Sequence, residues 1–212
     1  MMKNSTQIQP GRRARAATSL AVIETRELLI RIGMELLTER GFTSTGLDAI
    51  LKRATVPKGS FYHYFKSKED FGYHVMQAYD EYFRKKLDRW LQDEAVPALQ
   101  RLRNFVEDAK HGMARHRYTR GCLIGNFGQE VGALPDLYRP AMNDILFAWE
   151  LRVSACLSAA QAQGQVAQGA DCDALAKYFW IGWEGAVLRA KMMQQPGPMD
   201  VFLQGFLDGL PT

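Results

Sequence analysis

Apolar residues recur along this chain at intervals of three and four, and no stretch alternates with the period of two that a strand demands, so the pattern predicts an all-α protein. A first helix is expected from Ser19 to Arg40, with Ile23, Ile30, Met34 and Leu37 on its inner face and Gly41 as a left-handed stop. Thr45 precedes Asp48 at capping-box spacing and opens a short helix to Ala54 that buries Leu47, Ile50 and Leu51. Pro57 suits the first turn of a two-turn helix reaching Tyr64, and Ser67 with Asp70 repeats the capping spacing ahead of a long helix, Lys68 to Leu91. Further helices follow from Pro97 to His116, within the glycine-punctuated GCLIGNFGQEVGAL (Gly121 to Leu134), from Asp136 to Gln163, from Asp173 to Met193 and from Met199 to Asp208. The sum is about nine helices, organised as a basic arm (1–18), a small helical domain (19–66) and a larger one (67–212).

Composition narrows the class. At 212 residues, 47% hydrophobic and 24% charged, the chain reads as globular. The longest uncharged stretch, Val153 to Ala170, is rich in Gln, Ser and Gly, so no bilayer span is expected, and no apolar leader follows the basic N-terminus; the expected address is the cytoplasm. Cys122, Cys156 and Cys172 lack metal-ligand or CxxC spacing, which implies reduced thiols and neither metal nor cofactor. His63, His74, His111 and His116 have no carboxylate or cysteine at a catalytic spacing and no phosphate-cradling loop exists, so an enzyme is not expected. Charge is uneven: residues 1–68 hold 12 Lys/Arg against 5 Asp/Glu within a chain whose net charge is only +4. A basic end on a slightly acidic body points to a polyanion met at one end.

The segment TVPKGSFYHYFKSKEDF (Thr55 to Phe71) gives that end its chemistry. A helix this short cannot stand alone, so its value lies in its position. As the second helix of a helix-turn-helix it anchors through Phe61 and Phe65, four apart, and turns its other side to the major groove of DNA. GFTSTGLDAILKRATVPKGSFYHYFKSKEDF resembles the DNA-binding domain of TetR-family regulators, the likeness running from about Glu24 to Phe71. Two positions depart from the family pattern: Thr55 where Gly is usual and Pro57 where Ser is usual. The resemblance implies that Thr45 and Lys68 bind phosphates, that Tyr62, His63 and Tyr64 lie at the groove with Lys58 and Ser60 near base edges or backbone, and that Gly59 lets the backbone approach. Arg12, Arg13 and Arg15 are expected to reach an adjacent minor groove.

A reader this small needs a two-fold partner, so a homodimer on double-stranded operator DNA is expected. In DALAKYFWIGWEGAVLRAKMM the small residues Gly182, Gly185, Ala186 and Ala190 permit close approach of a neighbouring helix. The family likeness adds the last helix, with Phe202 and Phe206, to that dimer interface. RGCLIGNFGQEVGALPD and FWIGWEGAVLRAKM are also similar to segments of TetR repressors that respond to acrylate or to reactive electrophiles. That resemblance implies a small organic effector and a pocket formed by Phe105, Met113, Tyr118, Asn126, Trp149 and Trp183. Cys122 is expected at a helix start, where the dipole favours thiolate, with Lys191 nearby to steady it. Glu184, amid apolar neighbours, is expected to pair with Arg189 or Lys191, the alternative being that it faces the ligand. Three functions stay open: a repressor released by a reversibly bound effector, a sensor modified covalently at Cys122, and a helical DNA-binding adaptor without effector.

Overall fold

The computed structural model describes the backbone from Pro10 and the side chains from Val22. Among the described residues there are nine α-helices and no strand. They are α1 (Pro10–Arg40), α2 (Leu47–Ala54), α3 (Lys58–Phe61), α4 (Lys68–Leu91), α5 (Ala98–Arg115), α6 (Leu123–Gln129), α7 (Tyr138–Ala162), α8 (Cys172–Met193) and α9 (Gly197–Asp208), with one 3₁₀ turn at Val131–Ala133. The first helix starts at Pro10, ahead of the expected Ser19, and the side chains of Arg12, Arg13 and Arg15 lie outside the described residues.

Helix punctuation follows local chemistry where a cap is present. Ser67 accepts the Asp70 N–H at 3.1 Å and starts α4, and the Asp171 carboxylate accepts the N–H groups of Asp173 and Ala174 to start α8. Gly41 adopts φ +84 and ends α1 as expected. The capping box expected at Thr45 does not form. Gly46 is the N-cap of α2 without a side-chain bond, and Thr45 is 1% exposed, its hydroxyl donating to the Gly41 carbonyl at 2.6 Å. The helix expected from Pro57 to Tyr64 keeps helical form only over Lys58–Phe61, with Pro57 as its N-cap and turns carrying the chain to Tyr64.

The small helices α2 and α3 pack through α1 onto α4, and α4 runs on into the larger body of α5 and α7 to α9. Beneath α3, Phe61, Phe65 and Phe71 form an edge-packed cluster with centroids 5.0 to 5.6 Å apart, all fully buried. The body is centred on Phe83, Trp149, Trp180, Phe105 and Phe179, in ring contact across α4, α5, α7 and α8. Burial of such rings stabilises by roughly 2–3 kcal/mol each, which makes this the stiff part of the molecule.

Candidate DNA-reading surface and ligand cavity

Anchoring of Phe61 and Phe65 forces the intervening residues outward. Tyr62 is 55% exposed, and His63, Lys58 and Gly59 are also exposed, while Ser60 and Tyr64 are half-buried. Beyond its chain neighbours and the backbone of its own helix, nothing lies within 4 Å of the position a Cβ on Gly59 would take, so the backbone there is open to a partner. Lys58 reaches Asp48 at 3.3 Å, an exposed pair worth little that a phosphate can displace. The turn between α2 and α3 puts Thr55 in the left-handed region, φ +56, where glycine is the natural occupant. The two phosphate ligands expected from the family pattern are turned inward. Thr45 closes the α1–α2 loop, and Lys68 sets its ammonium over the Phe42 ring (4.4 Å to the centroid) and donates to the Phe42 carbonyl at 2.8 Å. Partial burial lowers the Lys68 pKa.

A cavity of about 300 Å³ opens between α1, α4, α5, α8 and the residues before α6. Its lining combines apolar and aromatic residues, Met34, Tyr79, Phe83, Met113 and Trp183, with Arg31, Glu35, Lys86, Arg115, His116 and Arg120. Lys86 is held by Asp108 at 2.8 Å and Arg120 by Glu35 at 3.3 Å. Burial, with Arg120 and Arg115 nearby, lowers the His116 pKa, so its imidazole is mostly neutral near pH 7. Small carboxylates suit such a place: a short apolar body against the rings, an anionic end among the cations.

Of the residues expected to line a pocket, Met113, Cys122 and Trp183 do so. Phe105 and Trp149 are instead fully buried in the aromatic core, the Trp149 indole N–H donating to Asp80 at 2.9 Å. Tyr118 sits half-buried in the turn after α5 at φ +55, away from the cavity wall. Asn126 and Lys191 have a different task. Asn126 donates to the carbonyls of Leu37 (3.0 Å) and Thr38 (2.9 Å), and the Lys191 ammonium to those of Thr38 (3.2 Å) and Glu39 (3.1 Å). These carbonyls lie in the last turn of α1; the Leu37 carbonyl also takes the Gly41 N–H at 3.0 Å, and those of Thr38 and Glu39 lie beyond the reach of the helix's own N–H groups. Glu130, unremarked in the sequence, accepts the N–H groups of Phe42 (3.0 Å) and Thr43 (2.8 Å) and the Thr43 hydroxyl (3.0 Å). The end of α1 and the turn into α2 are thus clamped by α6, the residue following it, and α8.

Cys122 caps α6, its sulfur accepting the Gly125 N–H at 3.4 Å. The expected thiolate is not supported. Burial, and then the Glu184 charge, push the thiol well above its ordinary pKa. Lys191 points away to α1, and Glu184 pairs with neither Arg189 nor Lys191 but adjoins Cys122, its carboxylate standing where a Cβ on Gly125 would be.

On the outer face of α8, Tyr178, Ile181, Leu188 and Met192 share one helical face and are exposed, Ile181 at 75%, and Val201 on α9 is 76% exposed. Gly185 lies open among them, and a shallow groove there is lined by Gly182, Gly185, Ala186 and Phe202. Three of the expected interface residues serve their own chain. Ala190 is fully buried, Phe206 packs on Phe179 at 5.1 Å, and Gly182 gives room to the Phe202 ring. No described helix is long and apolar enough to cross a membrane.

A short reading helix on an aromatic anchor, joined to a helical body with a cavity, defines a helix-turn-helix transcriptional regulator. Residues 29–71 match the family described as bacterial regulatory proteins, tetR family, and residues 98–206 match the tetracyclin repressor-like C-terminal domain. The chain belongs to the TetR family of transcriptional regulators. It is 52% identical over 178 residues to the transcriptional regulator AcuR of Cereibacter sphaeroides, covering 84% of this chain and 81% of that protein. The crystal structure of a regulatory protein TetR from Rhodobacter sphaeroides superposes with a TM-score of 0.85 at 50% identity, covering 87% of this chain and 97% of that one. The reduced form of Escherichia coli NemR superposes at 0.80 with 30% identity, covering 89% and 98%. Regulators of this family bind operator DNA and function as dimers.

Proposed function

We propose that the chain is a ligand-responsive repressor that grips a two-part operator as a homodimer and is released when a small organic carboxylate, of the size and charge of acrylate, enters the cavity. The observation that carries this reading is the shared wall. Gly121 and Cys122 line the cavity and lead into α6, and α6 with Glu130 holds the end of α1 and the turn into the reading head. Helix α4 supplies a second link, since Tyr79 and Phe83 face the cavity while its first turn adjoins α3.

A ligand that displaces the Gly121–Cys122 wall shifts α6, and α6 then changes the angle at which α1 carries the reading head. In a dimer built on the exposed α8–α9 stripe, that angle sets the separation of the two heads, and two-part sites tolerate little error in separation. Couplings of this kind are typically about 1–3 kcal/mol. Residues 1–18 act as the arm, 19–66 as the reading domain and 67–212 as the sensing and dimerising domain. The exposed Lys58, Gly59, Tyr62 and His63 meet DNA, with Ser60 and Tyr64 at their margin; Arg12, Arg13 and Arg15 extend the contact. The cavity disfavours an adaptor with no effector.

Operator-binding anisotropy tests the proposal. Lys58→Ala with Tyr62→Ala abolishes binding at physiological salt while leaving the melting temperature unchanged, and acrylate at saturating concentration releases the wild-type complex. Retained binding by the double variant, or indifference to every short carboxylate tried, refutes the assigned surface or the assigned ligand respectively.

A further inference from the structure

Glu35 stands where the reading head meets the sensing body. It lies on α1, and its Oε2 accepts from two guanidiniums at once: Arg53 on α2 and Arg120 on the α5–α6 connection, the latter at 3.3 Å. Arg53 belongs to the head, whereas Arg120 lines the cavity one residue before Gly121. Among the described residues, Glu35 with Arg120 is the one ion pair that joins 19–66 to 67–212; the others lie within one part or the other. The two guanidiniums share an oxygen and repel each other, so each weakens the other's hold on it.

The cations that line the cavity are not equally ready for an anion. Arg31 and Arg115 are exposed, so water screens their charge. Lys86 is tied to Asp108 at 2.8 Å. Arg120 is half-buried, and its carboxylate partner is both more distant and shared. A guanidinium offers five N–H donors in a planar fork that meets a carboxylate with two parallel bonds. Arg120 engages Glu35 through Nη2. An entering carboxylate therefore finds in Arg120 a charge less screened than Arg31 or Arg115 and less firmly held than Lys86.

We propose that Arg120 is the ligand for the effector's carboxylate and that Glu35 is the effector's competitor, so that the bound effector and the Glu35–Arg120 pair exclude one another. The inference deepens the effector reading above and rests on the same cavity. No covalent bond forms or breaks; one ion pair is exchanged for another. Once the effector holds Arg120, Glu35 is left to Arg53 alone. The head then keeps α2 against α1 but loses its ionic tie to the body, which frees α1 to take a new angle. This tie runs beside the α6 clamp and acts on the same helix. The apolar end of the effector lies against Phe83, Met113 and Trp183, which sets its size.

A double-mutant cycle read by isothermal titration of acrylate into the full-length protein, without DNA, tests the exchange. Arg120→Gln weakens acrylate binding at least about tenfold, the reach of a hydrogen-bonded charge pair. Arg120→Lys recovers only part of that loss, since a point charge lacks the fork. Glu35→Gln moves the other way and tightens acrylate by about two- to fivefold, because a half-exposed competitor is gone. In the Arg120→Gln background the same change gives no gain. Near-UV circular dichroism checks that each variant is folded. Wild-type affinity in Arg120→Gln, no gain in Glu35→Gln, or an equal gain in both backgrounds overturns the proposal, the last because it marks a general effect of charge. Failure of the wild type to bind acrylate overturns this proposal and the effector reading together. Operator release is scored separately, so acrylate binding that follows the cycle without releasing operator condemns the repressor reading and leaves this one standing.

Discussion

The reading head and the sensing body solve the problem of exposure in opposite ways. In the head, α2 and α3 are too short to hold themselves, and three buried rings fix them while Tyr62, His63 and Lys58 stay outside. Each residue there is either anchor or contact. In the body, long helices bury aromatic faces against one another, and the cations lie on the cavity margin of α1, α4, α5 and the α5–α6 connection, far apart in sequence. The head is therefore specified by spacing and the body by packing. Between them, the α6–α1 clamp converts a change in one into a change in the other.

The largest effect expected from breaking this division comes from an anchor. Phe61→Ala removes a fully buried ring and should cost about 3–5 kcal/mol, lowering the melting temperature and abolishing operator binding together. Tyr62→Ala, one residue along, should leave the melting temperature within about 1 °C, because exposed substitutions shift stability by under about 0.5 kcal/mol, while operator binding weakens at least about tenfold.

Next comes the buried carboxyl. Glu184 has its folded pKa raised to about 7, from an ordinary 4.5, so between those values the folded protein holds a proton the unfolded chain has lost. Stability from this group is present at acid pH and falls as pH rises through the window, by about 3 kcal/mol in all. Urea unfolding at pH 5 and pH 8 should show that fall for the wild type relative to Glu184→Gln, in which the group cannot ionise.

Glu130→Ala removes three bonds to the α1–α2 turn and should cost about 1–2 kcal/mol by thermal melting. More tellingly, it should leave ligand affinity in place while shrinking the ligand's effect on operator binding. The smallest effect belongs to the strained turn. Thr55→Gly relieves a β-branched residue at φ +56 and should stabilise by about 1 kcal/mol, with operator affinity unchanged.

What could be read from the sequence follows the same line. Capping at Ser67, the stop at Gly41 and the inward turn of Phe61 and Phe65 are local, so spacing alone reveals them. Thr45 and Lys68 do not stand free as the family pattern implied, because their polar ends bond the Gly41 and Phe42 carbonyls, a loop geometry that spacing does not encode. Trp149, Phe105 and Asn126 were expected on the cavity, yet an apolar helix face reads alike whether it meets a packed core, as at Trp149 and Phe105, or a void, and Asn126 is taken up by the α1 carbonyls. Arg31, Arg115 and His116 resembled ordinary surface charge, and only the fold brings them together. Glu130 left no signal, since its partners lie 87 and 88 residues away.

The most direct test of coupling between cavity and head is reciprocity. Isothermal titration of acrylate into the dimer alone and into the dimer saturated with operator compares the two affinities. The proposed clamp predicts that operator weakens acrylate binding by about 5- to 150-fold, the same factor by which acrylate weakens operator binding. Equal acrylate affinity with and without DNA would contradict it.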